Sequence, residues 1–387
     1  MGNMLSYINE FGGFNFVEKP LGEVDGLIFS HLAYYVYDGI VPGMGEGKAP
    51  VYMKDIPELI DDKNFISVCW EMEENRKILD LIMRSRRYRN TRMCCYVNEI
   101  DEEKDLQFSA VTFLLGNGDI FISFRGTDDN VVGWREDFCM AYRTPVLAQI
   151  RSVEYVNYVA DFFRKKRNVR LYLGGHSKGG NLAVYAAMNC NETIKRNIGR
   201  VYNMDGPGFR PDFMEQMDYE GIKDKIIKIV PQDSFVGMLM ETSRDYVLIE
   251  SYEVGVQQHI PLSWRVNCDA FVRIDDFQQP REKLYENINN WIFNMDREQV
   301  GNFLDSLFKL VEITEIRTLS EVKPLSSDFS KKIHSMTASY MKFDSETKQI
   351  FWEMALFLAE VVARDQHERI GNWKMLEKIR AKIEEKK

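Results

Sequence analysis

The chain has 387 residues, of which 45% are hydrophobic, and carries a net charge of −9 from 59 acidic against 50 basic side chains. That length suits one large domain, or one domain with an appended unit. The acidic balance argues against a nucleic-acid partner, and no apolar run reaches the ~18 residues that would span a membrane.

The first residues, Met-Gly-Asn-Met-Leu-Ser, lack the basic and apolar regions of a secretion signal. They fit the myristoylation pattern, but no second membrane signal stands beside them, so the match is read as coincidence. Val24–Tyr37 carries apolar residues at helical spacing, as does Ile78–Arg87, and together they predict an N-terminal helical extension. Cys69, Cys94, Cys95, Cys139, Cys190 and Cys268 show neither metal-ligand nor disulfide-framework spacing. A reducing, cytoplasmic compartment fits them, and no metal or cofactor is expected. The basic run Arg84–Arg92 reads as a solvated face pairing with local acids, with an anionic substrate group as the alternative ligand.

The pattern then changes. Phe108–Leu115 and Ile120–Phe124 flank Gly-Asn-Gly-Asp, a hairpin signal. Beyond it, strands and helices alternate. Val153–Lys166 and Asn181–Met188 are predicted helices; Val169–Leu173, Arg200–Met204, Ile226–Val230 and Tyr246–Tyr252 are predicted strands. Such alternation implies an α/β fold with a mostly parallel central sheet. Past about Pro280 the strand signals stop. Asp296 to Gln299 resembles a capping box opening a helix through Leu310, and Asp344 precedes the apolar-periodic Ile350–Val362. Residues 1–280 are therefore expected to form the α/β domain and 281–387 an all-helical appendage.

Within the alternating region, Gly175-His176-Ser177-Lys178-Gly179 lies between a strand and an Ala-rich helix. This is the nucleophile-elbow pattern in its required context. The sharp turn pushes the serine out of the sheet edge. Neighbours bearing a Cβ would clash, and the helix N-terminus aims backbone N–H groups at the point where an oxyanion forms. A serine needs a base. Of the three downstream histidines, His334 and His367 sit among polar residues of the helical appendage, whereas His259 follows the last predicted strand, where a loop returns to the sheet edge. Two acids compete to orient it. Asp233 follows the strand one step further from the nucleophile, the usual place, and leads; Asp205, before Gly-Pro-Gly, reads as a turn residue and is the fallback. Thr127, after Arg125-Gly126, and Lys178 are the candidate oxyanion donors through their backbone N–H groups.

Phe124-Arg-Gly-Thr127, Trp134, Asp137, Gly175-His-Ser-x-Gly-Gly180, Gly206-Pro207, Asp233 and His259 occur in the order found in class 3 lipases. More closely, the chain resembles a family of bacterial lipase-like proteins. The shared features are Asp25-Gly-Leu-Ile with Leu32-Ala-Tyr34, Arg86-Arg87, Gln107-Phe-Ser-Ala-Val, Gly133-Trp-Arg-Glu-Asp-Phe138, and Gln258-His259 with Trp264. The resemblance implies an α/β-hydrolase fold with Ser177, Asp233 and His259 as the triad, acting on a small-molecule or lipid ester. It departs at Lys178, where class 3 lipases usually carry Leu; extension of that side chain into solvent is the expected reading, and recognition of an anionic substrate the alternative. Ester hydrolysis is the expected activity. Thioesterase or acyltransferase chemistry uses the same parts, and a non-catalytic binding role on a hydrolase fold is the rival. The sequence leaves the oligomeric state open.

Overall fold

The structure, a computed structural model, describes residues 2–60, 65–67, 71–101, 103–128, 136–137, 139–165, 169–243, 245–275, 281–314, 337, 340–362 and 366–384. Trp134 and His334 lie outside the described residues. The chain divides into two compact units, Met1–Tyr285 and Glu286–Lys387.

The first unit is built on an eight-stranded sheet in sequential order: β1 (Val51–Tyr52), β2 (Arg92–Asp101), β3 (Leu106–Leu114), β4 (Ile120–Phe124), β5 (Leu171–His176), β6 (Ile198–Met204), β7 (Ile226–Pro231) and β8 (Val247–Ile249). β1 to β4 pair antiparallel, and β4 to β8 run parallel. The predicted hairpin joins β3 to β4. Its turn closes through Leu115 N–H to Asp119 O at 2.9 Å, with Gly118 at φ 95°, which a glycine accepts without strain. The mostly parallel sheet, covered by helices on both faces, with a strand–serine–helix turn at β5, is an α/β-hydrolase architecture.

Helices cover both faces because the strands are apolar on both. Along β4, Phe121 points to one core, with Phe29, Phe113 and Tyr202. Ile120, Ile122 and Phe124 point to the other, with Val156, Leu173 and Leu182. α1 (Met4–Phe11), α2 (Glu23–Leu32) and α3 (Met72–Arg84) supply the first layer. α4 (Leu147–Phe162) and α5 (Lys178–Asn189) supply the second. Each fully buried Leu, Ile or Phe contributes about 1.5–3 kcal/mol.

The basic run 84–92 divides. Arg86 is exposed and pairs with Glu18 at 2.9 Å, as a solvated face would. Arg87 does not follow the expectation. It is buried, donating to both carboxylate oxygens of Asp25 at 2.7 and 2.6 Å, and Tyr7 and Tyr88 hydroxyls complete that carboxylate. Asp25 is carried into the core by α2, and a buried carboxylate requires such a partner.

The second unit is described by α7 (Arg297–Thr314), α8 (Ser345–Val362) and α9 (Gln366–Glu384), preceded by α6 (Arg281–Asn294), which begins in the first unit. Asp296 Oδ1 accepts the Gln299 N–H and Asp344 Oδ1 the Thr347 N–H, both at 2.8 Å, so both predicted helix starts are capped as their sequences suggest. Aromatic side chains fill its core. Phe303 meets Trp291 and Phe351, and Trp352 Nε1 donates to the Tyr340 hydroxyl.

Candidate active site

Ser177 occupies the single residue between β5 and α5, at φ 57° and ψ −132°. A non-glycine residue at positive φ is strained, and it persists only where its surroundings hold it. The surroundings here are close-packed backbone. A Cβ on Gly179 would collide with the Phe124 carbonyl, and one on Gly175 with the backbone of Gly179. Ser177 N–H donates to Met204 O at 2.9 Å, and its carbonyl accepts from Gly180 N–H at 2.9 Å, fixing the turn from both sides. The serine thus sits at the carboxyl end of the parallel strands.

His259 ends a short 3₁₀ turn, Gly255–His259. Its Nδ1 lies 2.6 Å from Oδ2 of Asp205, the residue that follows β6. The expected pairing with Asp233 is therefore corrected: Asp205 holds this nitrogen. β6 is the immediate neighbour of β5, so a residue at its end lies beside the elbow. Asp205 also takes a positive φ of 56°, and its N–H donates to Ile229 O at 2.8 Å. The carboxyl is fully buried; desolvation raises its pKa, opposed by the His259 contact and the Ser234 hydroxyl, which donates at 2.7 Å.

Asp233 does something else. Its N–H donates to Gln258 Oε1 and its Oδ2 accepts from Gln258 Nε2, each at 3.1 Å, while its carbonyl accepts the Tyr285 hydroxyl at 2.8 Å. This pair of bonds clamps the residue next to His259. Trp264 Nε1 donates to Gln258 O at 2.8 Å and supports the same turn.

A second histidine stands behind the first. The rings of His176 and His259 are 4.4 Å apart, centroid to centroid. His176 Nε2 is 2.7 Å from the His259 carbonyl, an acceptor only, so this nitrogen carries the proton. Burial pushes the His176 pKa well below the usual imidazole range, so the ring is neutral and Nδ1 accepts from the Tyr34 hydroxyl at 3.0 Å. Tyr34 in turn accepts the Gly126 N–H. The chain of contacts joins the loop after β4 to the loop that carries His259.

That loop after β4 runs beside the nucleophile: a Cβ on Gly126 would stand 3.1 Å from Ser177 Cβ. Thr127 follows, and its hydroxyl donates to Asp137 Oδ2. Desolvation raises the Asp137 pKa to about 6, against the pull of Lys178 and of the Thr127 bond. The loop and the elbow thus bring Thr127 and the first residue of α5, Lys178, to the same edge as Ser177.

The Lys178 side chain departs from expectation. It is 1% exposed and does not reach solvent. Its ammonium donates to Gln107 O at 3.0 Å, Gln107 Oε1 at 2.7 Å and Glu136 Oε2 at 3.1 Å, with Asp137 Oδ1 at 3.8 Å. Three acceptors match its three N–H groups, so the anionic-substrate alternative loses its cation as well. His367 lies on α9, in the second unit.

Ser177, His259, Thr127 and Lys178 are the residues that sequence pattern nominates, with Asp205 as the second choice of acid; Tyr34, His176, Gln258 and Glu136 have no role assigned by pattern. Gln258 and His259 are adjacent, and Glu136 and Asp137 likewise, so the signal available was a polar neighbour beside each candidate. Nothing local says which distant strand end each would meet.

Residues 82–309 match the sequence model of the Mbeg1-like family. No curated protein matches the chain. Similar solved structures include the M37 lipase, at 15% identity over 56% of this chain and 70% of that one, with a TM-score of 0.35. The Rhizomucor miehei lipase propeptide complex matches at 15%, 60% and 69%, with 0.35. The Lip2 lipase from Yarrowia lipolytica matches at 14%, 64% and 82%, with 0.36.

Proposed function

We propose that this chain, which belongs to the Mbeg1-like family, is a serine hydrolase that cleaves a carboxylic ester, of a small molecule or a lipid, through an acyl-enzyme. Ser177 Oγ attacks the acyl carbon. His259 Nε2 takes its proton and later returns it to the leaving group. Asp205 keeps the imidazole in the tautomer with its proton on Nδ1 and stabilises the imidazolium that forms. The backbone N–H groups of Thr127 and Lys178 hold the oxyanion, and water then releases the acyl group. The reaction belongs in the reducing cytoplasm, in keeping with the free thiols of Cys94, Cys95, Cys139, Cys190 and Cys268.

The observation that carries this reading is the 2.6 Å contact between His259 Nδ1 and a fully buried carboxylate, at the sheet edge where a strained serine begins a helix. A buried aspartate on one imidazole nitrogen leaves the other as a base. A fluorophosphonate probe tests it. The folded protein is expected to take up one equivalent at Ser177, and Ser177→Ala to take up none. Absence of labelling, or labelling that survives the substitution, contradicts the reading.

A further inference from the structure

We propose that Lys178 is a positioning residue, whose buried ammonium holds the two oxyanion donors in register by tying the start of the elbow helix to the Glu136–Asp137 turn. The inference rests on the hydrolase reading above and concerns how its oxyanion site is held.

Lys178 contributes to the site twice. Its backbone N–H is the first of α5 and belongs to the set that a helix N-terminus leaves without intrahelical partners. Its side chain turns away from the site and spends all three protons inside the protein. Two go to Gln107 of β3 and one to Glu136. Glu136 is itself 1% exposed; its Oε1 accepts the Ala148 N–H at the start of α4, at 3.0 Å, and its Oε2 the Gln107 N–H at 3.1 Å. One ion pair thus joins β3, α4, α5 and the 136–137 turn. The next residue, Asp137, holds the Thr127 hydroxyl. The second donor is therefore fixed through the same turn as the first. A bundle of charge-assisted bonds in a dry site has few alternative geometries. Donors aimed at the oxyanion act only when it forms, so a loosened register lowers the rate of the chemical step and spares substrate binding.

The test compares wild type, Lys178→Met and the double variant Lys178→Met/Glu136→Gln, using a short-chain nitrophenyl ester and a thermal melt for each. The single variant leaves Glu136 buried without its counter-charge and is expected to be less stable; the double variant removes both charges and recovers part of that stability, since the amide keeps one oxygen for the two backbone N–H groups of Gln107 and Ala148. If Lys178 positions the donors, both variants lose kcat about 10- to 100-fold with KM within about twofold of wild type. If the lysine only balances a buried charge, the double variant regains kcat along with stability, and the proposal is overturned. A rise in KM with kcat unchanged overturns it as well, as does failure of both variants to fold while wild type is active. Wild type without Ser177-dependent turnover fails at the hydrolase reading itself, a result distinct from these.

Discussion

At the scale of single residues the two aspartates separate cleanly in what they touch. Asp205 is fully buried on the imidazole, and Asp233 holds the amide of the neighbouring glutamine. Asp205→Asn is expected to fold and to lose about 10⁴-fold in kcat, the scale seen for this change in the serine-protease template, because the amide favours the wrong tautomer. Asp233→Asn keeps one oxygen for Gln258, so a loss below about 10-fold is expected. Steady-state kinetics of the two variants side by side checks the assignment, and the reverse order of losses would return the role to Asp233. The sequence shows both acids just past predicted strands, followed by turn-forming residues. Which lies beside the nucleophile depends on strand order in space. Reading the acid one strand further out follows the more usual arrangement and misses it. Lys178 departs from expectation for a related reason. A lysine in an exposed-looking turn is read as solvated until a buried glutamate 42 positions earlier is known to meet it.

Elements were more legible than their partners. The hairpin, the elbow and the helix starts at Asp296 and Asp344 are local, set by turn and cap chemistry, and appear as read. β2 was missed. Its run Arg92–Asp101 breaks period-two alternation at a bulge, with Cys94 and Cys95 both in one core and Cys95 at φ 58°. The elbow strand extends to His176, beyond the predicted Leu173, because two glycines read as a turn continue the ladder to β6. α2 presents its own test. His31 is fully buried, with Nε2 on Asn75 Oδ1 at 2.6 Å, and burial lowers its pKa from 6.5 to about 4. Between those values the unfolded chain binds a proton that the folded chain does not, so folding stability falls as the pH drops. Asp137, with its pKa raised to about 6, acts in the opposite sense over its own range. Comparison with His31→Gln isolates the histidine. From pH 6.5 to 4, wild type is expected to lose about 3 kcal/mol more stability than the variant, measured by urea unfolding at each pH. Equal losses would contradict the assignment of His31 as a neutral core residue.

At the scale of the whole molecule, both faces of one sheet are buried, and the parallel half delivers Ser177 and Asp205 to its carboxyl edge from neighbouring strands, with His259 reaching Asp205 from the loop past β8. The α/β class was legible because hydrophobic period and turn residues alternate along the chain. The division after Tyr285 lies close to the point where strand signals end. Long-range pairings were not legible: the buried Arg87–Asp25 pair, the Lys178 network and the chain of contacts through Tyr34 and His176 each join segments that local pattern has no means to match. Their shared feature is that a buried polar group must find a partner, and only the assembled fold says which one is in reach. Among the described residues no helix is long and apolar enough to cross a membrane. In the proposed mechanism Ser177 carries an acyl group during turnover. Peptide mass analysis of protein mixed with an activated ester and quenched in acid within the first turnover looks for that group. One acyl adduct is expected, on the peptide containing Ser177, lost in Ser177→Ala and accumulating more slowly in Asp205→Asn. No adduct during demonstrable ester turnover, or an adduct on another residue, would contradict it.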